Sequence, residues 1–192
     1  MSVKRVYMKF FSKEETKAVL VILAVIIAFS YSNFVVSLRK ARDAQRKADI
    51  GSIYSALNEF QRDFGSFPLS KEGKIAACAP VVKKGKIYNL SELKYNFSVC
   101  LWGKDALRDL SDPAYPPYLK IIPQGDYHYL SNGNRYQIYG VLESKEEDEY
   151  DEAIVKRNLP CGNGVCNFGK GYGQTRLDIS IEEYENELRS ND

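Results

Sequence analysis

Histidine is almost missing from this chain: His128 is the only one in 192 residues. It stands between Tyr127 and Tyr129, and no motif sets a serine or cysteine nucleophile beside it, so it reads as a strand residue rather than a catalytic base. There is no phosphate-binding glycine loop, no metalloprotease helix and no nucleophile elbow, and no catalysis is predicted. A large excess of one charge is missing too. The formal net charge of +2 gives no ground for a polyanionic partner, and no nucleic-acid partner is predicted. The four cysteines lack the C-x-x-C spacing of a zinc site.

The absence with the largest consequence is local. From Ala18 to Leu38 there is no charged residue. Twenty-one residues at about 1.5 Å each cover about 30 Å, the thickness of a bilayer's hydrocarbon core. A cleaved secretory signal has a shorter apolar run that ends at small residues, whereas this one continues through Phe34, Val35, Val36 and Leu38 into further helical sequence. The segment is therefore expected to be retained as an anchor in a lipid bilayer. Lys4, Arg5, Lys9, Lys13 and Lys17 precede it, and Arg39, Lys40, Arg42, Arg46 and Lys47 follow it, so charge alone does not orient it. All four cysteines lie on the C-terminal side and suit an oxidising compartment. The expected topology is single-pass in the cell (inner) membrane, with the N-terminus cytoplasmic and the head outside the cytoplasm.

Proline and glycine are absent from Lys13 to Ile50. Ser12-Lys-Glu-Glu15 is a capping box, in which serine and a glutamate three residues later satisfy each other's backbone donors, so a helix is predicted to start near Lys13. On either side of Gly51 the residues Ile50, Ile53, Tyr54, Leu57, Phe60 and Phe64 recur every three or four positions, opposite a polar back of Asp49, Asn58, Gln61 and Arg62. One helix of about 50 residues, apolar all round in its first half and striped in its second, is the economical reading. Gly65 and Pro68 supply its stop.

From Leu69 to Gly125 periodicity is poor, with short helical stretches expected at Leu90 to Leu93 and Asp105 to Leu110, and a connector at Asp112-Pro-Ala-Tyr-Pro-Pro117. Trp102, Tyr115 and Tyr118 are expected to pack this region onto the head. The clearest strand signal follows: Asp126 to Leu130 and Arg135 to Leu142 flank Asn132-Gly133, a hairpin. Alternation puts Tyr136, Ile138 and Gly140 on one face, and Gln137, Tyr139 and Val141 on the other. A third strand is expected at Gln174 to Ile179, and a capped terminal helix at Ser180-Ile-Glu-Glu183. The acidic run Glu143 to Glu152 reads as a solvated loop, with a weak calcium site as the minority reading. The basic stretch Arg39 to Lys47 reads as helix emerging at lipid headgroups.

The fold class expected is α+β: a long N-terminal helix, transmembrane in its first half and amphipathic in its second, packed on a small antiparallel sheet. Its divisions are a charged leader at 1–10, the transmembrane half at 11–38, the amphipathic half at 39–64, a connecting region at 65–125, and the sheet with a disulfide loop and tail at 126–192. Local loops pair Cys78 with Cys100 and Cys161 with Cys166, although four cysteines allow three connectivities and the sequence does not choose. On chain-entropy grounds these two loops contribute about 3 and about 2 kcal/mol.

These features resemble the type IV pilins, and the head is most similar to the major pseudopilins of type II secretion. The likeness is carried by Lys40-Ala-Arg-Asp-Ala-Gln-Arg-Lys-Ala-Asp49, the helix exit Phe64-Gly-Ser-Phe-Pro68, Tyr118-Leu-Lys-Ile-Ile-Pro123 and the tyrosine-rich hairpin Tyr127 to Tyr139. It implies a pilin-like structural subunit that assembles with like subunits on an inner-membrane platform, with Phe11 as the first mature residue and Glu15 as the glutamate that neutralises a neighbour's N-terminus. It also implies leader cleavage between Phe10 and Phe11, but Phe10 stands where the family has glycine, which argues against the leader peptidase. The alternative is an uncleaved, non-polymerising membrane-anchored binding or adhesion module. Pseudopilin heads often hold calcium near their last strands, and the oxygen-rich run Glu143 to Glu152 could in principle do so, although it lacks a calcium-loop spacing.

Overall fold

The computed structural model describes residues 12–78, 98–109 and 116–190. It is an α+β protein, with a long N-terminal helix and small antiparallel sheets. Two compact units divide it, 1–41 and 42–192. Helix α1 runs unbroken from Lys13 to Phe64, 52 residues, and supplies the first unit and the start of the second. The capping box forms: the Ser12 backbone N–H donates to Glu15 Oε2 at 2.6 Å, and the Glu15 N–H donates to Ser12 Oγ at 3.2 Å. At the other end the Gly65 N–H closes on the Gln61 carbonyl at 2.8 Å, with Gly65 in the left-handed region.

In the second unit, the α1 stripe is the floor of the core. Ile50, Ile53, Ala56, Leu57 and Phe60 are buried, and Tyr54 and Phe64 pack at the edge. They meet a three-stranded antiparallel sheet of β3 (His128–Ser131), β4 (Tyr136–Gly140) and β7 (Phe168–Gly171), with β4 central. Tyr136 and Ile138 face the helix cluster, while Tyr139 joins a second cluster with Ile154, Cys161 and Cys166, so β4 is buried on both faces. Gly140 allows the close approach of helix and sheet: a Cβ there would come within 2.6 Å of the Phe168 ring and 3.1 Å of Ile50 Cδ1.

The structure departs from the sequence reading in four places. First, the connecting region contains a hairpin, β1 (Leu69–Lys71) with β2 (Lys74–Ala76). Its two-residue turn, Glu72-Gly73, has both φ values positive, at 54° and 71°, the twist that suits a tight hairpin. Strands of three residues are too short to show a period, and so the sequence hides them. Second, Asp105–Asp109 is not helical; Leu107 instead forms an antiparallel bridge with Leu119, each N–H donating to the other's carbonyl. The expected helix at 90–93, and Tyr115, lie outside the described residues.

Third, the strand beside β4 is Phe168–Gly171 and not 174–179. Two glycines in four residues give β7 little strand propensity, and its place comes from backbone pairing with β4. Residues 174–179 form a strap over the sheet face opposite α1, and side chains take its carbonyls. Gln137 Nε2 donates to the carbonyls of Arg176 and Ile179 at 2.5 and 2.8 Å, and the Tyr139 hydroxyl donates to that of Leu177 at 3.0 Å. Arg157 Nη1 also donates to the Leu177 carbonyl at 2.9 Å, to Gln137 Oε1 at 3.1 Å and to the Tyr139 hydroxyl oxygen. Carbonyls used this way do not need a strand partner. Fourth, the acidic run is not simply solvated, as shown below.

The remaining elements are α2 (Glu152–Lys156), capped by Asp151, the hairpin of β5 (Pro160–Cys161) and β6 (Gly164–Val165), and α3 (Ile181–Ser190), whose first turn is held by Ser180 Oγ accepting from the Glu183 N–H at 3.1 Å.

Candidate functional site

The first unit offers one surface, the apolar part of α1. Fourteen large apolar side chains from Val19 to Leu38 are exposed, Phe29 to 78%. None of the most apolar 18-residue stretch is buried, and the helix is long and apolar enough to cross a membrane. Keeping this surface in water costs on the order of 20 kcal/mol, more than the stability of an ordinary domain. The surface therefore requires an apolar surrounding, either lipid or other helices. At its start, Glu15 is exposed and engaged with Ser12, and Lys17 pairs with Glu14 at 3.0 Å. Phe10 and Phe11 lie outside the described residues.

Inside the second unit, the α1 residues Arg42, Asp43, Arg46 and Lys47 share a helix face through their spacing of four, and they grip residues 143–149. Asp43 is fully buried. Its carboxylate accepts the backbone N–H of Glu143 at 2.8 Å, that of Ser144 at 3.0 Å and Arg46 Nη1 at 2.9 Å, so its charge is compensated on three sides. Arg42 binds Glu143 with two parallel bonds, Nε to Oε1 at 2.7 Å and Nη2 to Oε2 at 2.6 Å, and Arg46 Nη2 reaches Oε1 at 2.9 Å. The Arg42 bonds, then those of Arg46, pull the Glu143 carboxyl down to about 2. Lys47 Nζ stands between Glu147 and Glu149, at 2.7 and 2.9 Å, and those bonds raise its pKa.

One buried asparagine fixes both ends of the gripped loop. Asn167 Oδ1 accepts from the Leu142 N–H at 2.7 Å, Asn167 Nδ2 donates to the Leu142 carbonyl at 2.9 Å, and the Asn167 carbonyl accepts from the Asp151 N–H at 2.8 Å. The residues that sequence reasoning missed here are Asp43 and Asn167. Asp43 is the one acid between Arg39 and Lys47, and that isolated sign reversal was its available signal. Asn167 carries no signal in the sequence.

Beside the gripped loop lies a cleft of about 360 Å³, lined by Arg42, Gln45, Arg46 and Asp49 of α1 and by Gln124 to Tyr127, Val141, Cys161, Asn163 and Gly164. Arg42 and Arg46 are partnered by Glu143, and Asp49 by the Tyr127 hydroxyl at 2.6 Å and Gln45 Nε2 at 2.7 Å. Burial, and after it the bond to Asp49, raises the Tyr127 hydroxyl pKa. His128 does not line it. That ring packs on Gly73, with Nδ1 3.0 Å from the Pro160 carbonyl oxygen, and burial lowers its pKa. Trp102 packs edge-on to Tyr127, and the Tyr118 hydroxyl donates to Asp63 Oδ2 at 2.5 Å.

All four cysteines are in disulfides, Cys78–Cys100 and Cys161–Cys166. The first brackets 79–97, and the second crosses the β5–β6 hairpin beneath Tyr139. Calcium does not fit the acidic run. Such an ion takes six to eight oxygens, yet among the described residues no three carboxylate, histidine or thiol groups converge, and Glu147 and Glu149 both face an ammonium. No family model matches the chain, and neither a curated protein nor a solved structure matches it.

Proposed function

We propose that this chain is a structural subunit of a type IV pilin-like filament or type II secretion pseudopilus, held in the inner membrane and then packed against like subunits through the first half of α1. The observation that carries this reading is one helix with two surroundings. Its residues from Val19 to Leu38 expose an all-round apolar surface, and from Ile50 to Phe60 it is the core of a disulfide-bonded head. A helix bundle and a bilayer satisfy the same apolar surface, which lets a subunit exchange one for the other at little cost. In this reading the N-terminus is cytoplasmic, the head is extracytoplasmic, and an assembly platform in the membrane supplies the work.

A specific observation favours a second reading. The Glu15 carboxylate is occupied by the Ser12 N–H within its own capping box, and Lys13, Glu14 and Lys17 surround it with charge. A glutamate used locally is less available to a neighbour's N-terminus, and charges in that turn oppose its entry into lipid. This suits an uncleaved, non-polymerising anchor that presents the head as a binding or adhesion module. Intact mass of the mature protein separates the two: a methylated chain starting at Phe11 supports assembly, and a retained leader supports the fixed anchor.

A further inference from the structure

The acidic loop Glu143 to Glu152 has the composition of a cation site, and the chain already contains a cation there. Lys47 Nζ bridges Glu147 and Glu149 across a separation of about a hundred residues, while one turn earlier Asp43 takes the loop's backbone N–H groups. The two carboxylates carry a charge of about −2, and the ammonium between them reduces it to about −1. We propose that the Lys47 ammonium replaces a divalent ion as the counter-cation of this loop, so that the order of the head does not depend on calcium or magnesium.

Three features support it. Both carboxylates approach within charge-assisted hydrogen-bond distance of the same nitrogen, at 2.7 and 2.9 Å, which leaves no room for an ion between them. Lys47 sits on helix and is partly buried, so its position is set by α1 rather than by the loop it holds. The loop's ends are fixed independently by Asn167, so the ammonium has only the middle to order. The inference does not depend on whether the chain polymerises.

The test uses the full-length chain in detergent micelles. Amide hydrogen exchange over 143–150 is measured in EDTA, in millimolar magnesium and in millimolar calcium, for the wild type, Lys47→Arg and Lys47→Gln. The wild type and Lys47→Arg should give the same protection in all three media. Lys47→Gln should lose about tenfold in all three media, because two carboxylates fall short of the six to eight oxygens that a calcium ion takes. The proposal is overturned by wild-type protection that falls in EDTA and returns with calcium, or by Lys47→Gln protected as well as wild type in EDTA. The wild-type and Lys47→Arg arms decide it even if Lys47→Gln does not fold.

Discussion

The two halves of α1 are one element with the same backbone hydrogen bonds, and they differ only in what their side chains require. Between Val19 and Leu38 the apolar residues surround the axis and are exposed; between Ile50 and Phe60 they form a stripe and are buried. Helix formation itself is thus indifferent to the surroundings, and the pattern of apolar residues chooses them. An amphipathic stripe finds a sheet of its own chain, whereas an all-round surface can be satisfied only from outside it.

Substitutions can break this contrast, beginning with the largest effect. Leu57→Ala should lower head stability by about 2–5 kcal/mol, because a fully buried side chain leaves a cavity, while Leu23→Ala in the exposed half should leave the head's melting temperature unchanged. Thermal unfolding followed by near-UV circular dichroism in detergent reads both. Asp43→Ala should cost about 3 kcal/mol, since two backbone N–H groups and the Arg46 guanidinium lose their shared acceptor. Equal stability of this variant in urea titration would remove the grip on residues 143–149 as a contributor.

In the other half, Ile26→Lys should weaken membrane insertion by about 3 kcal/mol and leave the head folded, which fractionation of membranes against soluble lysate detects. Opening Cys161–Cys166 by a double Cys→Ser change should cost about 2 kcal/mol, the smallest of these stability changes, because its loop is short. The pH effect is smaller again, because solvent screens the partly exposed Arg42–Glu143 pair. The folded pKa of Glu143, at about 2, lies below its ordinary value of 4.5, so the folded head binds this proton less readily than the unfolded chain does. The stabilisation is complete above about pH 4.5 and is lost as the pH falls toward 2. Exchange protection of 143–150 should therefore decline over that range in the wild type and less steeply in Glu143→Gln.

What the sequence disclosed follows from how many residues carry each signal. The 52 residues of α1 were legible from cap to stop because the capping box, the apolar run and the 3–4 spacing agree over many positions. The central hairpin was legible from tyrosines and isoleucine flanking Asn132-Gly133, with Gly133 at φ 90° where the turn requires it. The β1–β2 hairpin and β7 were not, since strands of three or four residues with glycine show neither period nor propensity. The acidic loop was misread for a different reason. Its partners Arg42, Asp43, Arg46 and Lys47 lie about a hundred residues away, and charge composition does not tell which opposite charges meet.

The strap at 174–179 has a consequence for the order of folding. Its carbonyl acceptors are met by donors from two separate stretches, Gln137 and Tyr139 on β4 and Arg157 after α2, so its attachment waits on both of them being in place. The strap and the α3 helix behind it should therefore settle last, after the sheet has closed. In pulse-labelled refolding, amides of α3 should acquire protection later than those of β3 and β4, and chains still emerging from the ribosome should carry an assembled sheet with an unattached tail.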